Sequence, residues 1–202
     1  SAEMKMIPVT VLTGFLGSGK TTLLSHLLRH PEMGRTAVII NEFGEMGLDH
    51  ELVETSEEDF VELTTGCLCC RLRDDLVLTL HDLLARRRRE EVTAFNQIVI
   101  ETTGLADPAP ILQTLASDVA LAETLKLANV VTTVDALLGL ETLTRFSESA
   151  RQVAVADKLV LTKTDLVDDD GQRLLSNVRK LNPWAPLHSA VNGRIENGRA
   201  HV

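Results

Sequence analysis

The chain has 202 residues, of which 44% are hydrophobic and 24% charged, as expected for one globular domain with a sizeable core. Its formal net charge of −9 disfavours a general nucleic-acid surface, because phosphate backbones are bound by clustered lysine and arginine side chains. No apolar run approaches the roughly 20 residues of a membrane-spanning helix and no secretory leader is recognisable, so we expect a cytoplasmic protein that binds neither nucleic acid nor membrane.

Short apolar segments rich in β-branched residues recur along the chain, with helix-length segments between them. The predicted strands cover residues 9–13, 36–40, 97–100, 129–134, 158–162 and 185–188. The predicted helices cover residues 19–29, 71–88, 136–143, 147–156 and 168–181. Near-continuous apolar strands are typical of parallel strands that are covered on both faces. The pattern predicts an α/β fold with a doubly wound, mostly parallel sheet.

Two parts of the chain depart from this alternation. Residues 41–70 are rich in Glu and Gly and separate the second and third predicted strands, so we interpret residues 41–75 as a functional insertion. Residues 192–202 are polar and contain two Asn-Gly pairs, which predicts a flexible tail or the start of a linker. The sequence therefore predicts one domain over residues 1–191, followed by this tail.

The segment GFLGSGKT at residues 14–21 matches the phosphate-binding pattern GxxxxGK followed by Ser or Thr. It follows a predicted strand and opens a predicted helix, which is the context that such a loop requires. Its backbone N–H groups can surround a phosphate, Lys20 can reach the β- and γ-phosphate oxygens, and the Thr21 hydroxyl is a magnesium ligand. The residues predicted to bind nucleotide here are Gly14, Gly17, Ser18, Gly19, Lys20, Thr21 and Thr22.

The third predicted strand leads into ETTG, residues 101–104. Because ligands of doubly wound sheets bind beyond the carboxyl ends of the strands, Glu101 is a candidate Walker B acid that holds magnesium. The N–H of Gly104 is a candidate donor to the γ-phosphate. The alternative for Glu101 is an ordinary helix cap or a solubilising loop residue.

The segment TKTD at residues 162–165 follows the fifth predicted strand and resembles the guanine-binding motif NKxD. In that motif the carboxylate, here Asp165, accepts two N–H bonds from guanine, and the lysine stem, here Lys163, lies along the base. Thr162 stands where the motif has Asn. Ser189 and Ala190 follow the last predicted strand and resemble the loop that contacts the guanine oxygen. The alternative for TKTD is that it is an accidental surface segment with no role in binding.

Cys67, Cys69 and Cys70 form a CxCC motif. Thiolates this close repel one another unless a soft or borderline cation such as zinc neutralises them. Since a second ligand pair is missing, the motif favours an exchangeable or sensing site over a closed structural one. A redox role, or no metal, remains the alternative.

Five motifs occur together and in order: GFLGSGKTTLL, NEFGE at residues 41–45, GCLCC at 66–70, ETTGLADP at 101–108, and TKTD. Over about residues 8–190 the chain resembles the CobW-type metal-homeostasis GTPases, relatives of HypB and UreG. The resemblance implies a P-loop NTPase of the SIMIBI type that allocates zinc or cobalt to a client protein. It also implies that Glu45 joins the cysteines as a ligand and that Glu42 lies in a switch-like, catalytic segment. Family members usually continue into a C-terminal domain, so we interpret the sequence as the GTPase domain without it.

These motifs predict slow hydrolysis of GTP to GDP with Mg²⁺, catalysed by Lys20, Thr21, Glu101 and Glu42. NEFGE and the cysteines share one insertion, so the γ-phosphate is expected to change the geometry and affinity of a Zn²⁺ or Co²⁺ site. The alternatives are a small-molecule P-loop kinase and a nucleotide-dependent metal sensor or scaffold that does not hydrolyse. A homodimer over the nucleotide face is left open.

Overall fold

The structure is a computed structural model that describes residues 5–41, 59–63, 65–72, 75–169 and 171–196. The described residues divide into two compact units. The first comprises those within Ser1–Thr10, Leu28–Glu101 and Ala109–Ala128. The second comprises those within Val11–Leu27, Thr102–Pro108 and Asn129–Val202.

The described residues contain strands and helices in alternation. The strands are β1 Ile7–Gly14, β2 Thr36–Ile40, β3 Phe60–Glu62, β4 Leu68–Arg71, β5 Gln97–Glu101, β6 Leu125–Asp135, β7 Lys158–Thr162, β8 Leu187–Val191 and β9 Arg194–Ile195. The helices are α1 Lys20–Leu28, α2 Leu76–Arg88, α3 Ala109–Ser117, α4 Val119–Thr124, α5 Gly139–Arg145, α6 Ser147–Ala154 and α7 Gln172–Leu181. Short 3₁₀ helices cover Pro31–Met33 and Thr164–Leu166.

The sheet of the first unit has β2 at its centre. This strand pairs in parallel with β4 on one side and with β5 on the other, and all five of its residues are buried. Burial on both faces explains its continuous apolar sequence. On the outer side of β4, β3 runs antiparallel. Strands β3 and β4 were not predicted from the sequence, because both are short and the Cys-Cys pair of β4 carries no strand signal. Part of the predicted insertion therefore belongs to the sheet.

The sheet of the second unit has β7 at its centre, in parallel pairs with β6 and β8. Antiparallel to β8 runs the short β9. Asn192 and Gly193 join these two strands with φ angles of 50° and 80°, as a tight hairpin turn requires. The prediction of a flexible tail is thus wrong for residues 192–195, while residues 197–202 lie outside the described part of the chain. The mostly parallel pairing confirms the predicted sheet type.

Local capping explains where the helices begin and end. The predicted helix at 71–88 begins only at Leu76, because Arg71 ends β4 and the Asp75 carboxylate accepts a 2.7 Å bond from the Val77 N–H. Three arginines occupy its last turn, where cations suit the helix dipole.

The two helices α3 and α4 were missed by the sequence analysis. In the described part of the chain, no helix combines the length and apolarity needed to cross a membrane.

Candidate functional site

The phosphate loop joins the end of β1 to the start of α1 in the second unit. Gly17 and Gly19 have φ angles of 71° and 90°, a left-handed backbone that glycine adopts without a steric penalty. The Lys20 side chain folds over the loop, and its Nζ donates to the carbonyl oxygens of Gly14 at 2.8 Å and Phe15 at 3.3 Å. Strand, loop and helix therefore have the arrangement that the sequence predicted. The loop can present N–H groups and one ammonium to an anion.

The TKTD motif is bonded directly to this loop. Thr162 Oγ1 donates to the Ser18 carbonyl at 2.7 Å, and Lys163 Nζ donates to the Gly17 carbonyl at 2.8 Å. Both contacts join residues more than 140 positions apart in the chain. Thr162, which replaces the Asn of the resembled motif, is buried and its hydroxyl makes a loop contact. The predicted base motif and the predicted phosphate motif are thus one connected site.

Asp135, the last residue of β6, also belongs to this site. Its Oδ2 accepts a 2.8 Å bond from Lys163 Nζ, and its Oδ1 accepts from the N–H groups of Leu137 at 2.8 Å and Leu138 at 3.3 Å. Lys163 itself has a left-handed backbone, with φ 58°. The sequence analysis missed Asp135. An acid at the carboxyl end of a predicted strand was the available signal, and it was applied only to Glu101.

Buried hydroxyl groups support the base of the phosphate loop through hydrogen bonds. Ser18 Oγ and Thr133 Oγ1 lie 2.7 Å apart, and Thr102 Oγ1 donates to Thr13 Oγ1 at 2.9 Å. All four residues are at most 4% exposed. Buried hydroxyls must find partners within the protein, so this network fixes the loop base rather than leaving it to solvent. Thr13, Thr102 and Thr133 were not predicted, since threonine in a strand carries no distinct functional signal.

Other predicted nucleotide contacts take different positions. Asp165 lies exposed in the 3₁₀ helix Thr164–Leu166, and its contact with guanine stays a prediction. Ser189 and Ala190 do not follow the last parallel strand as predicted; they lie buried inside β8, paired with residues of β7. The cause is that β8 begins two residues later than predicted and continues to Val191.

The remaining residues predicted to bind nucleotide or magnesium are also described. Thr21 is half-buried and Thr22 exposed in the first turn of α1. Gly104 packs so tightly that a Cβ on it would lie 2.6 Å from the Leu16 backbone nitrogen. Glu101 ends β5 and is 7% exposed. The magnesium roles of Thr21 and Glu101 stay predictions.

The three cysteines lie in the first unit, and each is fully buried. Cys69 and Cys70 are consecutive residues of β4, so their side chains point to opposite faces of the sheet. Cys67 precedes the strand, and its thiol donates to the Met33 carbonyl at 3.0 Å. Burial raises the pKa of the Cys70 thiol well above its ordinary value, and the neighbouring Cys69 raises it further. In the folded chain the Cys70 thiol is therefore protonated at neutral pH.

Within the described ranges, no three His, Cys, Asp or Glu side chains form a group that could hold a metal ion. Glu42 and Glu45 lie outside the described residues. The predicted ligand set of Cys67, Cys69, Cys70 and Glu45 stays a prediction. In an extended β4, a single ion cannot take both Cys69 and Cys70 as ligands, so three-thiol binding would require this strand to change conformation.

Comparison with known proteins places this site in a family. The family CobW/HypB/UreG, nucleotide-binding domain, matches residues 8–189. The zinc chaperone YjiA of Escherichia coli (strain K12) is 40% identical over 195 residues, which are 96% of this chain and 61% of that protein. Zinc-regulated GTPase metalloprotein activator 1 of Schizosaccharomyces pombe is 35% identical over 200 residues, 95% of this chain and 47% of that protein. The chain thus spans less than two thirds of these relatives.

Solved structures agree with the sequence comparison. The crystal structure of Zn(II)-bound YjiA GTPase from E. coli matches with a TM-score of 0.81 at 38% identity, over 96% of this chain and 61% of that chain. HypB from Helicobacter pylori in complex with nickel shares the fold alone, with a TM-score of 0.61 at 16% identity, over 92% of this chain and 79% of that chain. The predicted P-loop fold and the predicted resemblance are both confirmed. The chain belongs to the CobW/HypB/UreG nucleotide-binding domain family.

Proposed function

We propose that this chain binds GTP with Mg²⁺, hydrolyses it slowly to GDP and phosphate, and couples the nucleotide state to the handling of zinc or cobalt. A metal-receiving client protein takes the ion. The observation that carries the nucleotide part is the pair of bonds from Thr162 and Lys163 to the phosphate loop. Family membership and the names of the relatives support the metal part.

The two bonds matter because they join base selection to phosphate binding. Asp165 is exposed and follows Lys163 by two residues. Because Lys163 is bonded to the Gly17 carbonyl of the phosphate loop, the segment that carries the Asp165 carboxylate is linked to that loop. A carboxylate accepts the two N–H groups on the guanine edge, and adenine offers no such pair. A site that hydrogen-bonds its ligand in this way rejects an analogue without those donors by large factors. This arrangement supports the proposal that the site selects guanine.

Phosphate release tests the reaction class. GTP and ATP are each incubated with the chain and Mg²⁺, without an acceptor and with or without zinc. Slow release from GTP and none from ATP is expected. A kinase would form nucleoside diphosphate only when a small-molecule acceptor was supplied, and it would transfer the γ-phosphate to that acceptor rather than release it. A non-hydrolysing sensor would bind GTP and form neither product in any condition. The Lys20→Ala variant is the control, since it lacks the ammonium bonded inside the loop.

The variant Asp165→Asn tests guanine recognition. The amide reverses one hydrogen-bond partner, so the variant should bind GTP at least about tenfold more weakly and xanthosine triphosphate more tightly. Asp168→Asn is a matched control, because Asp168 is also exposed and lies three residues further on. Unchanged GTP affinity in Asp165→Asn would contradict the guanine assignment.

For metal, we propose that Cys67 and Cys69 bind the ion together, and that Cys70 joins only when β4 is remodelled. Cys67 immediately precedes β4 and is separated from Cys69 by one residue, whereas Cys70 faces the opposite side of the strand from Cys69 and lies near Arg86 and Asp82. Soft thiolate ligands suit zinc and cobalt. In this account Glu45 remains a ligand by resemblance, and the coupling to GTP acts on the conformation of β4.

A titration against a chromophoric zinc chelator tests this proposal, with a GTP analogue, with GDP and without nucleotide. Cys67→Ser and Cys69→Ser should each weaken zinc binding under all conditions. Cys70→Ser should matter only in the nucleotide state that remodels β4. Equal zinc affinity in all three nucleotide states would refute the coupling, and unchanged affinity in Cys67→Ser would refute the ligand assignment. Size measurement in the same states would show whether the chain forms the homodimer left open by the sequence.

A further inference from the structure

Gln152 lies in α6, and its side chain is buried against residues 104–107. It is 1% exposed, and its Nε2 donates to the carbonyl oxygens of Gly104 at 3.2 Å and Ala106 at 3.0 Å. Both acceptors belong to the ETTGLADP segment, in which the Gly104 N–H is the predicted donor to the γ-phosphate. One amide on a separate helix therefore holds two carbonyl groups of that segment.

The orientation of this amide follows from its neighbours. Two carbonyl oxygens can face only a donor, so the amide must present Nε2 to them and turn Oε1 away. Among the described residues, Oε1 is buried and has no hydrogen-bond partner. A buried acceptor without a partner is unfavourable, and a leucine would fill the same space without that cost. Packing of α6 therefore does not explain Gln152, whereas its hold on the segment does.

The same segment is fixed at two further points. Arg151, the residue before Gln152, forms an ion pair with Asp107 at 3.4 Å. Gly104 also lies close to the phosphate loop, where an added Cβ would lie 2.6 Å from the Leu16 nitrogen. Gly104 thus lies near both the Gln152 amide and the backbone of the phosphate loop.

We propose that Gln152 is a positioning residue that holds Gly104 against the phosphate loop and thereby sets the preference for GTP over GDP. This inference rests on the proposed function, in which the chain binds guanine nucleotides. The γ-phosphate is the group by which GTP differs from GDP, and its recognition needs a donor held in a fixed place. When the tether is removed, the segment must be ordered during GTP binding, and that entropy cost lowers the affinity for GTP alone.

The experiment compares the native chain with Gln152→Leu and Gln152→Met, which keep most of the buried volume but lack the amide. Calorimetry measures the affinity for a non-hydrolysable GTP analogue and for GDP, both with Mg²⁺. The affinity for the analogue should fall about tenfold, and that for GDP by less than about twofold, since one segment with two hydrogen bonds is released. The ratio of the two affinities is the readout.

Thr132→Val is the matched control. Thr132 is buried, and its Oγ1 donates to the backbone carbonyl of Gln152 at 2.7 Å, so this variant loosens α6 without removing the tether. It should lower the free energy of unfolding and leave the affinity ratio unchanged.

Each outcome is decisive. An equal change for both nucleotides, no change, or the same ratio shift in Thr132→Val would overturn the inference. Failure of both Gln152 variants to fold would also overturn it, because the role would then be structural. If the native chain bound neither nucleotide, the proposed function itself would fail, and this result is distinct from an unchanged ratio in a chain that binds both.

Discussion

The contact between Lys163 and Asp135 predicts a measurable coupling between the TKTD segment and β6. Lys163 Nζ lies 2.8 Å from Asp135 Oδ2, and the side chains are 38% and 9% exposed. Lys163→Met removes the ammonium and leaves the buried carboxylate with the N–H groups of Leu137 and Leu138. Asp135→Asn keeps an oxygen for those N–H groups but removes the charge. The two substitutions therefore remove the same interaction from opposite sides.

The magnitude follows from burial. A hydrogen bond to a charged group contributes about 1.5–3 kcal/mol when buried, and a fully exposed pair about 0.2–1 kcal/mol. Because the carboxylate is buried and the ammonium more than a third exposed, we expect a coupling energy of about 1–1.5 kcal/mol. Lys163→Met should lower the free energy of unfolding by roughly 2 kcal/mol, since it also loses the bond to Gly17.

Urea unfolding of the native chain, both single variants and the double variant measures this coupling as a double-mutant cycle. The Arg145–Glu141 pair is the control, because its atoms are also 2.8 Å apart but its side chains are 66% and 62% exposed. Its coupling should be only about 0.3–0.5 kcal/mol. Couplings of equal size for the two pairs, or additive effects of Lys163→Met and Asp135→Asn, would refute the reasoning from burial.

Two further predictions concern packing and pH. Gly104→Ala should cost about 1–3 kcal/mol and weaken nucleotide binding, because its Cβ would meet the Leu16 backbone at 2.6 Å. In Gly17→Ala the added Cβ meets no atom within 4 Å, so the variant should lose only about 1 kcal/mol of stability, because of the left-handed φ of 71°. Thermal unfolding measures both variants, and equal losses of stability would contradict the packing argument. The raised pKa of Cys70 predicts that stability falls as the pH rises above 9.0, because the unfolded thiol ionises there while the folded thiol, buried beside Cys69, keeps its proton. Urea titrations between pH 8 and pH 10 should show that the free energy of unfolding falls less steeply with pH in Cys70→Ala than in the native chain. The same slope in both chains would contradict the prediction that Cys70 causes this fall.

Much of the fold could be predicted because its signals are local. The apolar sequences of β2 and of residues 159–161 in β7 follow from burial on both faces, and the bounds predicted for both strands are those observed. The strand–loop–helix arrangement of the phosphate loop was equally local, since glycine spacing and the flanking apolar strand lie within one stretch of chain. Short strands were different. Pairing with β2 places β4 in the sheet, and its own residues give no strand signal.

The sequence by itself determined the phosphate loop, and it predicted a carboxylate suited to guanine and thiols suited to a soft cation. Only the tertiary structure decided how the phosphate loop and the TKTD segment are connected. Asp135 and Gln152 carry no motif, and their roles depend on contacts with Lys163 and Gly104, residues distant in sequence. The cysteines show the same limit. Their spacing predicted that the three thiols bind one ion together. In β4, however, Cys69 and Cys70 point to opposite faces, because successive side chains of extended backbone point in opposite directions.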